Sequence, residues 1–231
     1  MKDSSHRRRN ARRAVLSLSL AVLAGTSSLA SAATITFDTD PFAGSTALTT
    51  PGRQVFAGNE RMLPSFNLAT DKFVFNLDAF ASYGIAGLSF LNAASSGIPA
   101  TGFNTIVLQD TDNDGNPATP FAAGTAANVI AGKVATDGAG FFIYHNSVLD
   151  VNRLVFSTNL HDPTADLSVL ARITNPTGAA SIAQLPLFTS DNFVASVPEP
   201  SSFALFGMGL AACAFVARRR QRTAGVAPTF R

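Results

Sequence analysis

Between residues 33 and 196 no apolar stretch keeps helical spacing for more than about two turns. Short β-rich runs recur instead, about every 10–20 residues, each bounded by Gly, Asn, Asp or Pro. Thr34-Ile35-Thr36-Phe37 opens the series. Residues 71–77 alternate, placing Phe73, Phe75 and Leu77 on one face. Residues 104–109 contain Ile106-Val107-Leu108, an unbroken run suited to a buried strand. Residues 128–134 and 140–145 flank Thr136-Asp137-Gly138-Ala139 and predict a hairpin. Residues 153–158, 167–174 and 192–194 complete the set. The 80–102 segment reads as strand fragments joined by loops, and 122–131 as one or two helical turns weakened by Gly124 and Gly132. With no helical crossover between strands, the expected fold is mainly β: an antiparallel β-sandwich of jelly-roll-like form.

Such a core has to be built from phenylalanine. Fifteen of the 19 Phe residues lie between 33 and 197, and the chain has no Trp. Phe37, Phe73, Phe75, Phe141, Phe142, Phe156 and Phe193 are the expected core. Each contributes roughly 1.5–3 kcal/mol on burial. The only cysteine, Cys213, falls outside this region, which excludes a disulfide scaffold. A hydrophobic fraction of 46% against 14% charged excludes a disordered polyelectrolyte.

The net charge of +2 hides a strong partition. Residues 1–13 carry six Lys/Arg and one Asp, and residues 218–231 carry five Arg and no acid. Residues 33–197 carry six basic and thirteen acidic side chains, a formal charge of −7, which argues against nucleic acid as a partner of this region. The basic start reads as a signal peptide over residues 1–32. Arg7, Arg8, Arg9, Arg12 and Arg13 form its positive region, and an apolar run over 14–24 follows, short for a permanent anchor. Ala30 and Ala32 are the small residues that signal peptidase requires, so the expected cut lies between Ala32 and Ala33. Arg12-Arg13 also permits a twin-arginine export route, although Ser or Thr before the pair and Phe after it are missing.

At the other end, Pro198-Glu199-Pro200 precedes an apolar run over 203–217 and then Arg218, Arg219, Arg220 and Arg222. Fifteen helical residues rise about 22 Å, short of a ~30 Å hydrocarbon core, so such a helix needs local thinning and snorkelling arginines. The arginines orient it with the preceding domain outside. Pro198 and Pro200 lack backbone donors and keep Glu199 in an extended, accessible stretch. These elements, in this order, resemble the PEP-CTERM sorting signal of bacterial envelope proteins; an ordinary single-pass anchor with a proline-containing stalk is the plainer alternative.

In that family an exosortase, an integral-membrane cysteine transpeptidase-like enzyme, recognises the Pro-Glu-Pro element and processes the signal. The resemblance implies a bacterial envelope protein that is exported, held briefly by its C-terminal helix and then delivered to the surface or beyond. The expected organisation is a signal peptide (1–32), a secreted domain (33–196), a sorting signal (197–222) with a transmembrane helix (203–217), and a cytoplasmic tail (223–231). The role it implies is a non-catalytic, structural or adhesive component of an exopolysaccharide matrix. A carbohydrate-active hydrolase or lyase, or a glycan-binding module on the same fold, are the alternatives.

Asp110, Asp112, Asp114 and Asn116 surround Gly115 in the one local motif with metal chemistry. Oxygen ligands at alternate positions of a turn can converge on a hard cation, and calcium is the cation such a turn would take. Phe121 stands where a calcium loop would end in a bidentate Glu, so a further ligand from elsewhere would be needed. The alternative is that Asp, Asn and Gly simply form a turn. His145 and His161 have no metal spacing and are expected in solvated or capping roles. Asp162 and Asp166 are a carboxylate pair of the kind a glycosidase uses, but no nucleophile elbow or phosphate loop accompanies them.

Overall fold

A computed structural model describes residues 32–197 and 208–210. Ala30, Pro198, Glu199, Pro200, Cys213, the 223–231 tail and most of the 203–217 run lie outside the described residues. Residues 208–210 are helical, and among the described residues no helix is long and apolar enough to cross a membrane.

The β-branched and aromatic runs become β1 (Thr34–Phe37), β2 (Val55–Phe56), β3 (Arg61–Leu63) and β4 (Lys72–Asn76). Helix α1 (Leu77–Phe80) follows at once, its first turn capped by the Asn76 side chain accepting from the Asp78 N–H. Then come β5 (Phe90–Ala93), β6 (Thr105–Leu108) and α2 (Ala123–Ala131). The meander β7 (Gly140–Asn146), β8 (Val151–Ser157) and β9 (Leu167–Ile173) leads into α3 (Gly178–Gln184) and β10 (Phe193–Ser196).

Two sheets result. The larger has seven strands, in the order β2-β9-β8-β7-β6-β5 with β3 also against β9; the smaller has the order β1-β4-β10. Facing rows of the two sheets share one aromatic core. Phe73 and Phe75 of β4 are fully buried with Phe141 and Phe156 of the large sheet, and the Phe75 and Phe141 ring centroids lie 4.2 Å apart. The other face of the large sheet forms a second core with α2, where Ile106, Leu108, Phe142 and Tyr144 meet Ala126, Ala127 and Ile130. All seven expected core phenylalanines are buried.

A β-rich protein is what the sequence predicts and what the chain forms, but the antiparallel, jelly-roll expectation is corrected. Only β7–β8 and β8–β9 are antiparallel; β1, β10, β2, β3, β5 and β6 all pair in parallel. Parallel neighbours need a crossover between them, and α2 supplies one between β6 and β7. Its inward residues, Ala123, Ala126, Ala127, Ile130 and Ala131, hold helical spacing, but mostly in alanine, which carries little hydrophobic signal. Residues 128–134 are therefore not a strand, and no hairpin forms over 136–139. The hairpin belongs to β7 and β8, where the Asn146 Oδ1 accepts from the Val148 and Leu149 N–H groups and Asp150 takes a left-handed φ of 57°. Parallel β6–β7 pairing also draws the backbone of residue 140 very close to its neighbours. A Cβ at Gly140 would stand 2.5 Å from the Asn104 carbonyl oxygen, so only glycine fits there.

Candidate functional site

The acidic turn follows β6. Asp110 faces backwards and accepts from the Ser95 backbone N–H and hydroxyl. Asp112 Oδ1 accepts from the Gly115 N–H at 3.1 Å, and Asn116 Oδ1 from the Ala118 N–H at 3.0 Å. Asp114 takes the Asn116 N–H at 2.8 Å and the Thr119 hydroxyl at 2.9 Å. Those bonds, the Asn116 N–H foremost, hold the Asp114 carboxyl below the usual range. Asp112, Asp114 and Asn116 thus each close a local turn, and Asp110 is spent on Ser95, fifteen residues earlier. Among the described residues no group of three or more His, Cys, Asp or Glu side chains is gathered to hold a metal ion.

Beside this turn lies a cleft of about 500 Å³. Asp112 reaches it from the acidic turn, His145, Ser147 and Asp150 from β7 and the β7–β8 turn, and Ile182 from α3. His145 is 3% exposed, contrary to the solvated role expected of it, because its strand is buried on both faces. Its Nε2 stands 3.4 Å from the Asp150 Oδ1, and its Nδ1 has no hydrogen-bond partner. Asp150 in turn meets α3, accepting from the Gly178 N–H through its carbonyl at 3.1 Å. Sequence reasoning missed Asp150, because Val148 and Leu149 disguise the turn as apolar strand; both are exposed.

The other candidates serve the frame. His161 Nδ1 contacts the Val134 carbonyl. Asp162 accepts from the Thr164 N–H and hydroxyl, which hold its carboxyl low, and Asp166 accepts from the Gln54 N–H at 2.7 Å. Glu60 is nearly buried and bridges Arg153 of β8 at 2.9 Å and Arg172 of β9 at 2.8 Å, satisfying a charge that burial would otherwise make costly. Tyr144 is fully buried; Tyr83 donates to Asp40 at 2.9 Å, and burial pushes its hydroxyl pKa up.

The two ends of the domain belong to the small sheet. Ala33 starts it, its N–H donating to the Asp71 Oδ1 at 2.8 Å and its carbonyl accepting from the Lys72 N–H at 2.9 Å. Ala32, before it, is exposed. Strand β10 ends at Ser196, and Val197 is 65% exposed, one residue before Pro198. The segment that follows is where a known family is found: the PEP-CTERM protein-sorting motif matches residues 196–220. No curated protein and no solved structure matches the chain.

Proposed function

We infer from the sorting motif, which makes this chain a PEP-CTERM protein with an outer domain of unassigned family, that it is an exosortase-processed, non-catalytic component of an exopolysaccharide matrix. Processing by an exosortase and sorting to the cell surface follow from the motif itself; the structural or adhesive role is the finer reading. The observation that supports processing is position: the motif begins on the last residue of β10, so the folded domain and the processing signal adjoin with no linker. Pro198 and Pro200 lack the backbone N–H that strand pairing needs, and Glu199 stands between them in the sequence. The apolar run over 203–217 holds the chain in the bilayer during this step, and the arginines beyond it stay on the cytoplasmic side.

Once released, the domain carries a formal charge of −7 over residues 33–197. Such a charge favours solubility and a neutral polymer, or an anionic one bridged by calcium. A second reading, a glycan-binding module, has the cleft beside Asp112 and His145 in its favour, where polar groups stand next to the apolar Val148 and Ile182.

Replacing Pro198, Glu199 and Pro200 by Ala tests the sorting step. Export continues, and a larger, membrane-bound form accumulates on gels of fractionated cells; an unchanged mobility and distribution contradicts processing at this element. The role in the matrix is tested with the mature protein and the producing strain's own polysaccharide. Co-sedimentation without release of reducing ends is expected, and release of reducing ends makes the protein an enzyme instead.

A further inference from the structure

We propose that the buried carboxylate of Asp71 is the receptor for the amino terminus created when the chain is cut between Ala32 and Ala33, a built-in site for a primary ammonium group. The proposal rests on the export reading above. Asp71 is 7% exposed at the head of β4, and it accepts from three donors: the Ala33 N–H at 2.8 Å, the Asn67 N–H at 2.8 Å and the Thr70 hydroxyl at 3.1 Å. Burial pushes its pKa up, but the Ala33 and Asn67 N–H groups and the Thr70 hydroxyl outweigh that and hold the carboxyl below its ordinary range. All three donors are neutral. Among the described residues no Lys, Arg or His forms an ion pair with it. A buried carboxylate ordinarily has a counter-charge.

Cleavage supplies one at a nitrogen that already stands beside the carboxylate. Hydrolysis breaks the amide C–N bond between Ala32 and Ala33; water gives its hydroxyl to the Ala32 carbonyl carbon and a hydrogen to the Ala33 nitrogen. The new amine takes up a proton at neutral pH, its ordinary pKa being about 7.7–8.0. Its nitrogen already stands at the 2.7–2.9 Å typical of an ammonium–carboxylate hydrogen bond. Ala33 is exposed, so the two remaining N–H groups of the ammonium reach solvent.

The position is selective. A cut after Ala30 or Ser31 leaves the Ala33 nitrogen an amide and puts the charge in water. A cut after Ala33 removes both the donor to Asp71 and the carbonyl that accepts from the Lys72 N–H. Only the Ala32–Ala33 bond, when cut, turns the first anchor of β1 from a neutral into a charge-assisted one. Removal of the signal thereby tightens the small sheet, and the uncut precursor holds β1 more loosely.

The test uses full-length chains expressed in the producing cells. Mass determination of the mature protein should find Ala33 at its start. A start at Met1 overturns the export reading and this inference together, whereas a start at any other residue leaves export standing and overturns the inference. A single Thr inserted between Ala32 and Ala33 gives, after the same cut, a mature chain one residue longer with its core unaltered. Its cleavage by thermolysin under native conditions should be about tenfold faster than that of the natural mature chain, a factor worth about 1.4 kcal/mol. Asp71→Asn should speed cleavage of the natural mature chain by at least as much, and add about tenfold less to the extended one. Equal rates for the natural and extended chains, or an equal Asp71→Asn effect in both, overturn the pairing and leave Asp71 as a strand cap.

Discussion

Strands β1 and β10 lie on either side of β4, run in the same direction, and differ at their outer ends. The start of β1 is fastened: the Ala33 N–H reaches a buried carboxylate and its carbonyl a backbone donor, at 2.8 and 2.9 Å. The end of β10 has its ladder pairing with Asn76 but no buried carboxylate to hold it. The Ser196 hydroxyl only reaches the Phe75 carbonyl at 3.4 Å, and Val197 projects into solvent. One sheet thus anchors the Ala33 end on a buried carboxylate and gives the end beside the sorting motif no such anchor. The difference follows from which residue stands beside each end, Asp71 in one case and a proline two residues on in the other.

The largest expected effect comes from removing what both strands share. Phe75 stacks on Phe37 of β1 at 5.3 Å and meets Phe141 of the large sheet, so Phe75→Ala should cost about 3–5 kcal/mol in urea unfolding of the mature protein. A loss below about 1 kcal/mol would show that the small sheet does not depend on this core. Next in size, Asp71→Asn should cost about 1–3 kcal/mol, because the Ala33 and Asn67 N–H groups, which now reach different carboxylate oxygens, would have a single amide oxygen between them.

Acid should reproduce part of that loss. The folded-state pKa of Asp71 lies below its unfolded value, so its contribution is complete above about pH 4 and disappears as the pH falls through the lowered folded value. Melting temperatures from pH 6 down to pH 2 should therefore fall less steeply for Asp71→Asn than for the natural chain; parallel curves would contradict the depressed pKa. The smallest effect belongs to the end of β10: Ser196→Ala should stay within about 0.5 kcal/mol and leave processing unchanged. A larger loss would mean that β10 is fastened as firmly as β1.

Much of this could be read from residue order. The runs at 34–37, 72–76, 105–108 and 140–146 are β-branched and aromatic, and each forms its strand. Pairing direction was not legible, since a strand's own residues do not encode which way its neighbour runs, and the alanine-built face of α2 hid the crossover that makes parallel pairing possible. The acidic turn was recognised by composition, but whether its carboxylates face an ion or their own backbone depends on dihedral angles that composition does not reveal. Asp71 looked like an ordinary residue at a strand's head because its partner, Ala33, is 38 positions away. The sorting signal was the most legible part. It is read by an enzyme as a linear element, so its information lies in the order of residues and needs no fold to assemble it.

The central claim, a chain exported and then processed at its far end, is tested most directly by the mass of the protein recovered from the cell surface and the medium. The account predicts a polypeptide that has lost residues 1–32 and the arginine cluster from Arg218 onward. A recovered chain that still runs from Met1 to Arg231 would contradict it.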